Sequence, residues 1–560
     1  MMNDDESAKS PPSWFEALFP DRPHLTLGDF TATRRMLPVT VIALAIGVLS
    51  GFIALGLLRL IGLFTNFFFY QRVGWDFVDP AGHDMGAWVV LAPVAGTLIV
   101  GFMARYGSER IRGHGIPEAL ESILLRGSRV EPRLAVLKPL SAAISIGSGG
   151  PFGAEGPIIM TGGAFGSLIA QGFHLTSAER KTLLVAGAAA GMTATFGSPL
   201  AAMLLAVELL LLEWKPRSFI PVALACIAAM ATRHYLLPTG PLFQVPPHAA
   251  FIGIAGLFGC VVAGLGAGVL SALMTASVYL FEDLFQEHLR RIHWMWWPAI
   301  GGVVIGIGGI ICPQALGVGY ASIGDLLSGH MLLGAALVLI AVKWTIWSFA
   351  LGSGTSGGVL APLLMIGAAL GMLEGHVLPD LGAGFWPLIS MGAVLGGTMR
   401  SPLTGILFAV EITHDWDAML PLAIAVVIAH LFTVLVLRRS ILTEKVSRRG
   451  FHISREYAVD PLEILFAREV MTAEEGGPPP EPPAICHPDE TLRTVAYRMA
   501  HLRIIEVTVV DRADPSLALG RVTLQDLLVA RRRHLEEETR RERPLPIQYM
   551  VAPWLRAGPR

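Results

Sequence analysis

Residues 147–166 read Gly-Ser-Gly-Gly-Pro-Phe-Gly-Ala-Glu-Gly-Pro-Ile-Ile-Met-Thr-Gly-Gly-Ala-Phe-Gly, and residues 352–371 read Gly-Ser-Gly-Thr-Ser-Gly-Gly-Val-Leu-Ala-Pro-Leu-Leu-Met-Ile-Gly-Ala-Ala-Leu-Gly. Each is a glycine cluster, then a proline (Pro157, Pro362), then an apolar run with small residues. A second matching segment follows each: Ser198-Pro199-Leu200 leading to Ala206-Val207-Glu208, and Ser401-Pro402-Leu403 leading to Ala409-Val410-Glu411. The offset between copies is 203–205 residues throughout. Paired, glycine-broken apolar segments in two halves of one chain point to a transport site at a repeat interface.

The composition agrees. Of 560 residues, 53% are hydrophobic and only 15% charged, with a mean hydropathy of +0.57, whereas a soluble domain is about 25% charged. The chain reads as a polytopic membrane protein with spans near 37–61, 86–104, 181–209, 219–237, 251–278, 295–312, 332–351, 386–410 and 419–437. Shorter apolar pieces at 135–146, 157–172 and 359–378 are interrupted by Gly and Pro. They suit partial helices that meet inside the bilayer.

Net charge is −2 and excludes little, but charge placement orients the chain. Arg105, Arg110, Arg112, Arg126, Arg129 and Arg133 crowd one connection, and Arg438, Arg439, Lys445, Arg448 and Arg449 follow the last span. Both clusters are expected on the cytoplasmic side, with Glu282, Asp283 and Glu287 on the other. No cleavable signal is read in residues 1–36, which are assigned to a cytoplasmic tail of a cell (inner) membrane protein with both termini inside. The membrane body is 37–442, with halves at about 37–235 and 250–442, the linker is 443–484, and a small α/β cytoplasmic region is 485–560. The Arg/Glu run at 531–545 reads as a solvated helix with i,i+4 pairs and not as a nucleic-acid site. Cys226, Cys260, Cys312 and Cys486 show no metal or redox spacing.

Three junctions carry the chemistry: Gly113-His114-Gly115-Ile116-Pro117-Glu118, Gly153-Ala154-Glu155-Gly156-Pro157 and Gly357-Gly358-Val359-Leu360-Ala361-Pro362. Proline suits the first helical turn, and the glycines before it let backbone approach a ligand. Each junction therefore presents N–H groups and about half a positive charge at a helix N-terminus, the makings of an anion site without a fixed cation. Moving a small ion into a dry interior costs on the order of 20 kcal/mol in the idealised limit, and one helix end returns about 0.3–2 kcal/mol. Several ends, added hydroxyls and residual water are therefore required. Glu155 is an ionisable group inside a membrane segment at such a cluster. It can occupy the site as a tethered anion and leave when protonated. The bland alternatives are an interhelical turn at each junction and a first-turn Glu at 155.

These three motifs, in order and with family spacing over about 37–445, resemble the anion-binding motifs of the CLC family of chloride channels and chloride/proton antiporters. Lys138, 17 residues before Glu155, also sits where that family has a lysine. The resemblance implies an all-α body of two inverted-topology repeats with broken helices and a homodimer with one anion pathway per subunit. It implies Glu155 as the external gating glutamate, chloride as the permeant ion, no other cofactor and no metal. It also implies a central anion held by backbone N–H groups of Val359 and Leu360. Three positions depart from the family pattern. His114 replaces a serine, as a neutral N–H donor, and Leu442 falls where a tyrosine hydroxyl closes the inner gate. At the inner proton-site position of exchangers stands Leu209. Glu213, four residues on, is expected on nearly the same helix face. Glu208 and Glu411 read as structural partners at helix ends. The missing hydroxyl and displaced acid tilt the expectation to gated passive anion conduction, with chloride/proton exchange as the alternative.

In the tail, a helical pattern at 491–501, Glu506–Asp511 and Gly520–Leu528 resemble one CBS motif beginning around Val470-Met471-Thr472. That resemblance makes Thr523 and Asp526 candidates for an adenine nucleotide's ribose, while a simple capping box is the preferred reading. An intramembrane enzyme finds no support, since no histidine pair stands at i,i+4 with an acidic partner in a membrane segment. A tail-based sensor is the other rival.

Overall fold

The computed structural model describes residues 34–248, 252–448, 450, 460–473 and 484–539. Residues 1–33, 249–251, 449, 451–459, 474–483 and 540–560, which include most of the expected N-terminal tail and about half of the expected linker, lie outside the described residues. Two units result, 1–455 and 456–560.

The first unit is helical and built twice. The first half holds α1 (Met36–Tyr70), α2 (Leu91–Tyr106), α3 (Ile116–Leu125), α4 (Pro132–Gly147), α5 (Glu155–Gln171), α6 (Ser177–Phe196), α7 (Pro199–Leu205) and α8 (Pro216–Leu236). The second half holds α9 (Gly253–Asp283), α10 (Trp297–Ile311), α11 (Tyr320–Leu327), α12 (Leu333–Gly352), α13 (Leu360–Glu374), α14 (Phe385–Met399), α15 (Pro402–Thr413) and α16 (Met419–Val436). α17 (Ile441–Arg448) follows. Helices α3, α5, α7 and α8 start 203 to 205 residues before α11, α13, α15 and α16. Seven of the described helical segments are long and apolar enough to cross a membrane. Exposed Val41, Phe52, Phe258, Leu273, Ile307 and Leu435 on such segments form a surface suited to lipid and not to water.

Two predicted spans are broken. The stretches 181–209 and 386–410 each divide into two helices, ending at Phe196 and Met399 and restarting at Pro199 and Pro402. Gly197 and Arg400 close the first members in the left-handed region, and Ser-Pro restarts each partner at its favoured first turn. The two halves then cap one another. Glu411 on α15 accepts the Leu200 and Ala201 N–H groups at the start of α7, at 3.0 and 2.8 Å. Glu208, beyond the end of α7, accepts the Leu403 and Thr404 N–H groups at the start of α15, at 3.1 and 3.0 Å, with the Thr404 hydroxyl at 2.7 Å. This reciprocity is what a two-fold relation between inverted repeats produces, and it gives both glutamates the structural role expected of them.

One expected orientation is corrected. Arg448 on α17 is ion-paired with Asp283 at the end of α9, and its guanidinium lies 4.6 Å from the centre of the Tyr279 ring. Asp283 therefore stands on the same side as the basic segment after the last span, not opposite it.

The second unit is a four-stranded sheet in the order β1-β4-β3-β2, formed by β1 (Thr472–Ala473), β2 (Ile485–Cys486), β3 (Glu506–Val510) and β4 (Ala518–Thr523). Helices α18 (Pro461–Ile464), α19 (Ala467–Val470), α20 (Leu492–Leu502) and α21 (Leu524–Thr539) complete it. Only β2 and β3 pair in parallel. Val507, Val509, Val522, Leu492 and Val495 form its own core. β1 falls inside the stretch expected to be linker, so the folded tail starts earlier than 485. The 531–545 charge run is helical as far as Thr539.

Candidate functional site

The three glycine–proline junctions meet. Gly113 and Ser356 form a parallel bridge, and Gly153 and Gly358 form an antiparallel one. Gly113 N–H donates to Thr355 O at 3.0 Å, Gly153 N–H to Gly358 O at 3.2 Å, and Gly358 N–H to Gly153 O at 3.0 Å. Gly357 N–H reaches Gly113 O at 3.5 Å. The approach is close enough to demand glycine. A Cβ on Gly156 would overlap the His114 carbonyl oxygen, and one on Gly115, already at φ +92°, would overlap Gly156 O.

This stitching changes which donors remain for an anion. Among the predicted anion-binding residues, Gly113, Gly357 and Gly358 give their N–H groups to one another's loops, and Gly115 gives its own to Glu118 Oε2 at 2.8 Å. Pro117 has no N–H. The other N–H groups at these helix starts belong to His114 and Ile116 about α3, Glu155 and Gly156 at α5, and Val359, Leu360 and Ala361 at α13, all buried residues. The glycines thus build the site, and the residues after them line it. Ala154 and Pro157 are buried in the same joint.

Glu155 is fully buried, and neither carboxylate oxygen has a hydrogen-bond partner from the protein. Its carboxylate folds back over Gly153, where a Cβ would collide with it, and Oε2 would stand 2.9 Å from a Cβ on Gly358. The N–H groups of Glu155 itself and of Ala361 face it. The side chain therefore fills the space between the starts of α5 and α13, where an anion would sit. Lys138 stands behind the first junction, donating to Ile111 O and Gly113 O at 2.8 Å each and to Ser356 Oγ at 3.2 Å.

A fourth junction escaped the sequence reading. α11 begins after Gly317-Val318-Gly319, with Gly319 at φ +78°. Lys343 on α12 donates to Ala315 O and Gly317 O at 2.9 Å each, as Lys138 does around Gly113. The signal was present: Gly317 and Gly319 lie 204 residues after Gly113 and Gly115, and Lys343 lies 205 after Lys138. The absence of a proline after Gly319 hid it.

At the opposite end, His114 is buried, with Nδ1 lacking a partner; it does not turn out to water. Leu442 is fully buried on α17 and offers no donor. The hydroxyl nearby, that of Tyr279, is committed to Ile441 O at 2.5 Å. Leu209 is fully buried in a π-helical turn, Ala206–Leu211, that extends α7. Glu213 does not continue this face as predicted. Leu212 adopts the left-handed region (φ 52°) and ends the helix, so Glu213 lies in the turn before α8. There it accepts from Ser218 Oγ at 2.7 Å and pairs with Lys215 at 3.4 Å. Burial alone would raise its carboxyl, but the Ser218 hydroxyl and the charges of Lys181, Lys215 and Arg217 outweigh that and hold it below the usual range. In the tail, Asp526 Oδ2 accepts the Thr523 N–H and hydroxyl at 2.8 and 2.7 Å. Thr523 Oγ1 accepts the Asp526 N–H at 3.3 Å, a closed capping box. Among the described residues, no group of three or more His, Cys, Asp or Glu side chains could hold a metal ion.

Inverted repeats whose partial helices aim their N-termini at a buried carboxylate define a multi-pass membrane protein of the anion-transporting kind. The chain belongs to the voltage gated chloride channel family, whose model matches residues 95–434. It is 28% identical over 418 residues to the H(+)/Cl(-) exchange transporters ClcA of Salmonella arizonae and Salmonella paratyphi B, covering 69% of this chain and 84% of each relative. Among solved structures, it is similar to a slow cyanobacterial Cl-/H+ antiporter (TM-score 0.64, 20% identity, 73% of this chain and 97% of that one). A eukaryotic CLC transporter matches with a TM-score of 0.61 and 18% identity over 88% of this chain and 98% of that one.

Proposed function

We propose that this protein exchanges chloride for protons across the membrane, with anion and proton competing through Glu155. The observation that carries the reading is the Glu155 carboxylate, wholly buried and without a protein hydrogen bond, filling the space between two helix N-termini. An ionised side chain there excludes a free anion. Protonation removes the charge that the helix ends favour, releases the side chain and opens its place to chloride; return of the side chain delivers the proton to the other face. The exchange activity named for the ClcA relatives supports this over simple conduction. The basic segments 105–133 and 438–449 support a cell-membrane protein with both termini on the cytoplasmic side. The working unit is proposed to be a homodimer. The mutual bonds of Thr523 and Asp526 support a structural cap over an adenine nucleotide site.

Gated passive conduction is the second reading, favoured by the inner half. Leu209 is apolar, and Glu213 is held charged in a turn by Ser218 and its lysine neighbours. Reversal potentials of the reconstituted protein under a pH gradient separate the two. A shift toward the proton potential is expected; a reversal potential indifferent to pH would refute exchange and leave conduction.

A further inference from the structure

The inner mouth holds a charge cluster that the motifs did not announce. Glu118 closes the capping box of α3 with Oε2 on Gly115 N–H, and its Oε1 accepts from Lys445 Nζ on α17 at 2.7 Å. Lys445 is the residue one turn beyond Leu442, so the two share a helix face. Its ammonium lies over Gly113, where only the missing Cβ leaves room. Lys138 approaches Gly113 as well, but its three N–H groups already have three acceptors. Lys445 has one acceptor, Glu118, and its side chain is 17% exposed. The charged groups that face this loop are Lys138, Lys445 and Glu118, with His114 among them, its Nδ1 buried and unpartnered. With neutral His114 they sum to one excess positive charge. A buried excess charge is unfavourable unless something compensates it.

We propose that Lys445 is the anion-selecting cation of the inner mouth. Its ammonium holds Glu118 when the mouth is empty and gives its remaining N–H groups to a small inorganic anion, a halide or nitrate, seated against the His114 and Ile116 N–H groups. It supplies the donor that Leu442 lacks, by charge instead of a hydroxyl, and Glu118 sets how strongly that charge is felt. The inference rests on the transport reading, yet its test does not depend on flux.

The experiment is calorimetric titration of the purified full-length protein with chloride and with bromide, Glu155 left in place. Replacing Lys445→Met should weaken binding by roughly tenfold to a hundredfold, the effect of losing one charged hydrogen bond. Glu118→Gln keeps an acceptor for Gly115 N–H, frees the ammonium and should tighten binding, while Lys445→Arg stays near wild type. The neutral double variant Glu118→Gln/Lys445→Met avoids an unpaired buried charge, so it reports even if Lys445→Met fails to fold; it should bind as weakly as Lys445→Met. Equal affinities across the set, or weakening by Glu118→Gln and Lys445→Met alike, would show Lys445 to be only a strap between α17 and α3. Wild type that binds anion without transporting it would overturn the proposed function and leave this inference standing.

Discussion

Glutamine at Glu155 tests the central claim. The substitution keeps the side chain's shape and removes its charge in a place where the starts of α5 and α13 both face it. A helix N-terminus favours a negative charge by about 0.3–2 kcal/mol, so two of them hold the ionised carboxylate by about 0.6–4 kcal/mol. At 1.4 kcal/mol per factor of ten, the neutral side chain should occupy that place roughly threefold to several hundredfold less firmly. In chloride efflux from proteoliposomes, wild type should quicken as the pH falls and Glu155 is protonated. Glu155→Gln should be faster than wild type at neutral pH, flat with pH, and should carry no protons against a chloride gradient. A Glu155→Gln protein that keeps the wild-type pH profile, or that is slower at every pH, would refute the competition of side chain and anion for one place.

Both reciprocal caps should be strongly stabilising. Alanine at Glu208 or at Glu411 removes at least two charge-assisted hydrogen bonds, a loss of about 3–6 kcal/mol, read as an earlier loss of monodisperse protein on heating. Gly156→Ala should abolish assembly of the joint, because its Cβ meets the His114 carbonyl and not a movable side chain; normal folding and chloride flux in that variant would contradict the close approach. Thr523→Ala should lower tail stability by about 1 kcal/mol as a lost N-cap, and ATP should leave the melting of the wild-type chain unmoved; a nucleotide-dependent rise abolished by Thr523→Ala would reverse this reading.

What the sequence made legible follows from chemistry that is local. Glycines followed within a few residues by a proline favour a helix start wherever they lie, so the starts of α3, α5 and α13 could be read from 113–117, 153–157 and 357–362. What stayed hidden depends on partners distant in the chain. Hydropathy runs unbroken across Ser198-Pro199 and Ser401-Pro402, and only the caps from Glu411 and Glu208 explain why breaks there are tolerated in an apolar medium. Glu213 was placed on the Leu209 face by counting residues per turn. A π-helical turn and the left-handed Leu212 change that count. Asp283 was assigned by charge asymmetry alone, and its pairing with Arg448 required the fold. Glycine N–H groups were assigned to the anion because glycine permits close approach, and the same freedom lets these loops bond to one another first.

That last point decides how a charge-poor centre and a charge-rich mouth share one pathway. The backbone pairs Gly153–Gly358 and Gly113–Ser356 fix three helix starts at one point, so the centre needs no cation, and a carboxylate can occupy it as readily as a chloride. Repeat symmetry alone would make the two approaches to this centre alike, and Lys138 and Lys343 do hold matching carbonyls on matching loops. The symmetry fails at α17, which has no counterpart among the described residues of the first half and brings Lys445 to the first junction. The second half contributes no carboxylate at the place of Glu155, since Val359 and Leu360 stand there. On the proposed reading, a titratable anion controls one side of the centre and a fixed cation with its own counter-charge the other. A transporter so built can respond to protons from one direction and select anions from the other, and Glu155→Gln combined with Lys445→Met should lose both properties independently, with additive effects on flux and affinity.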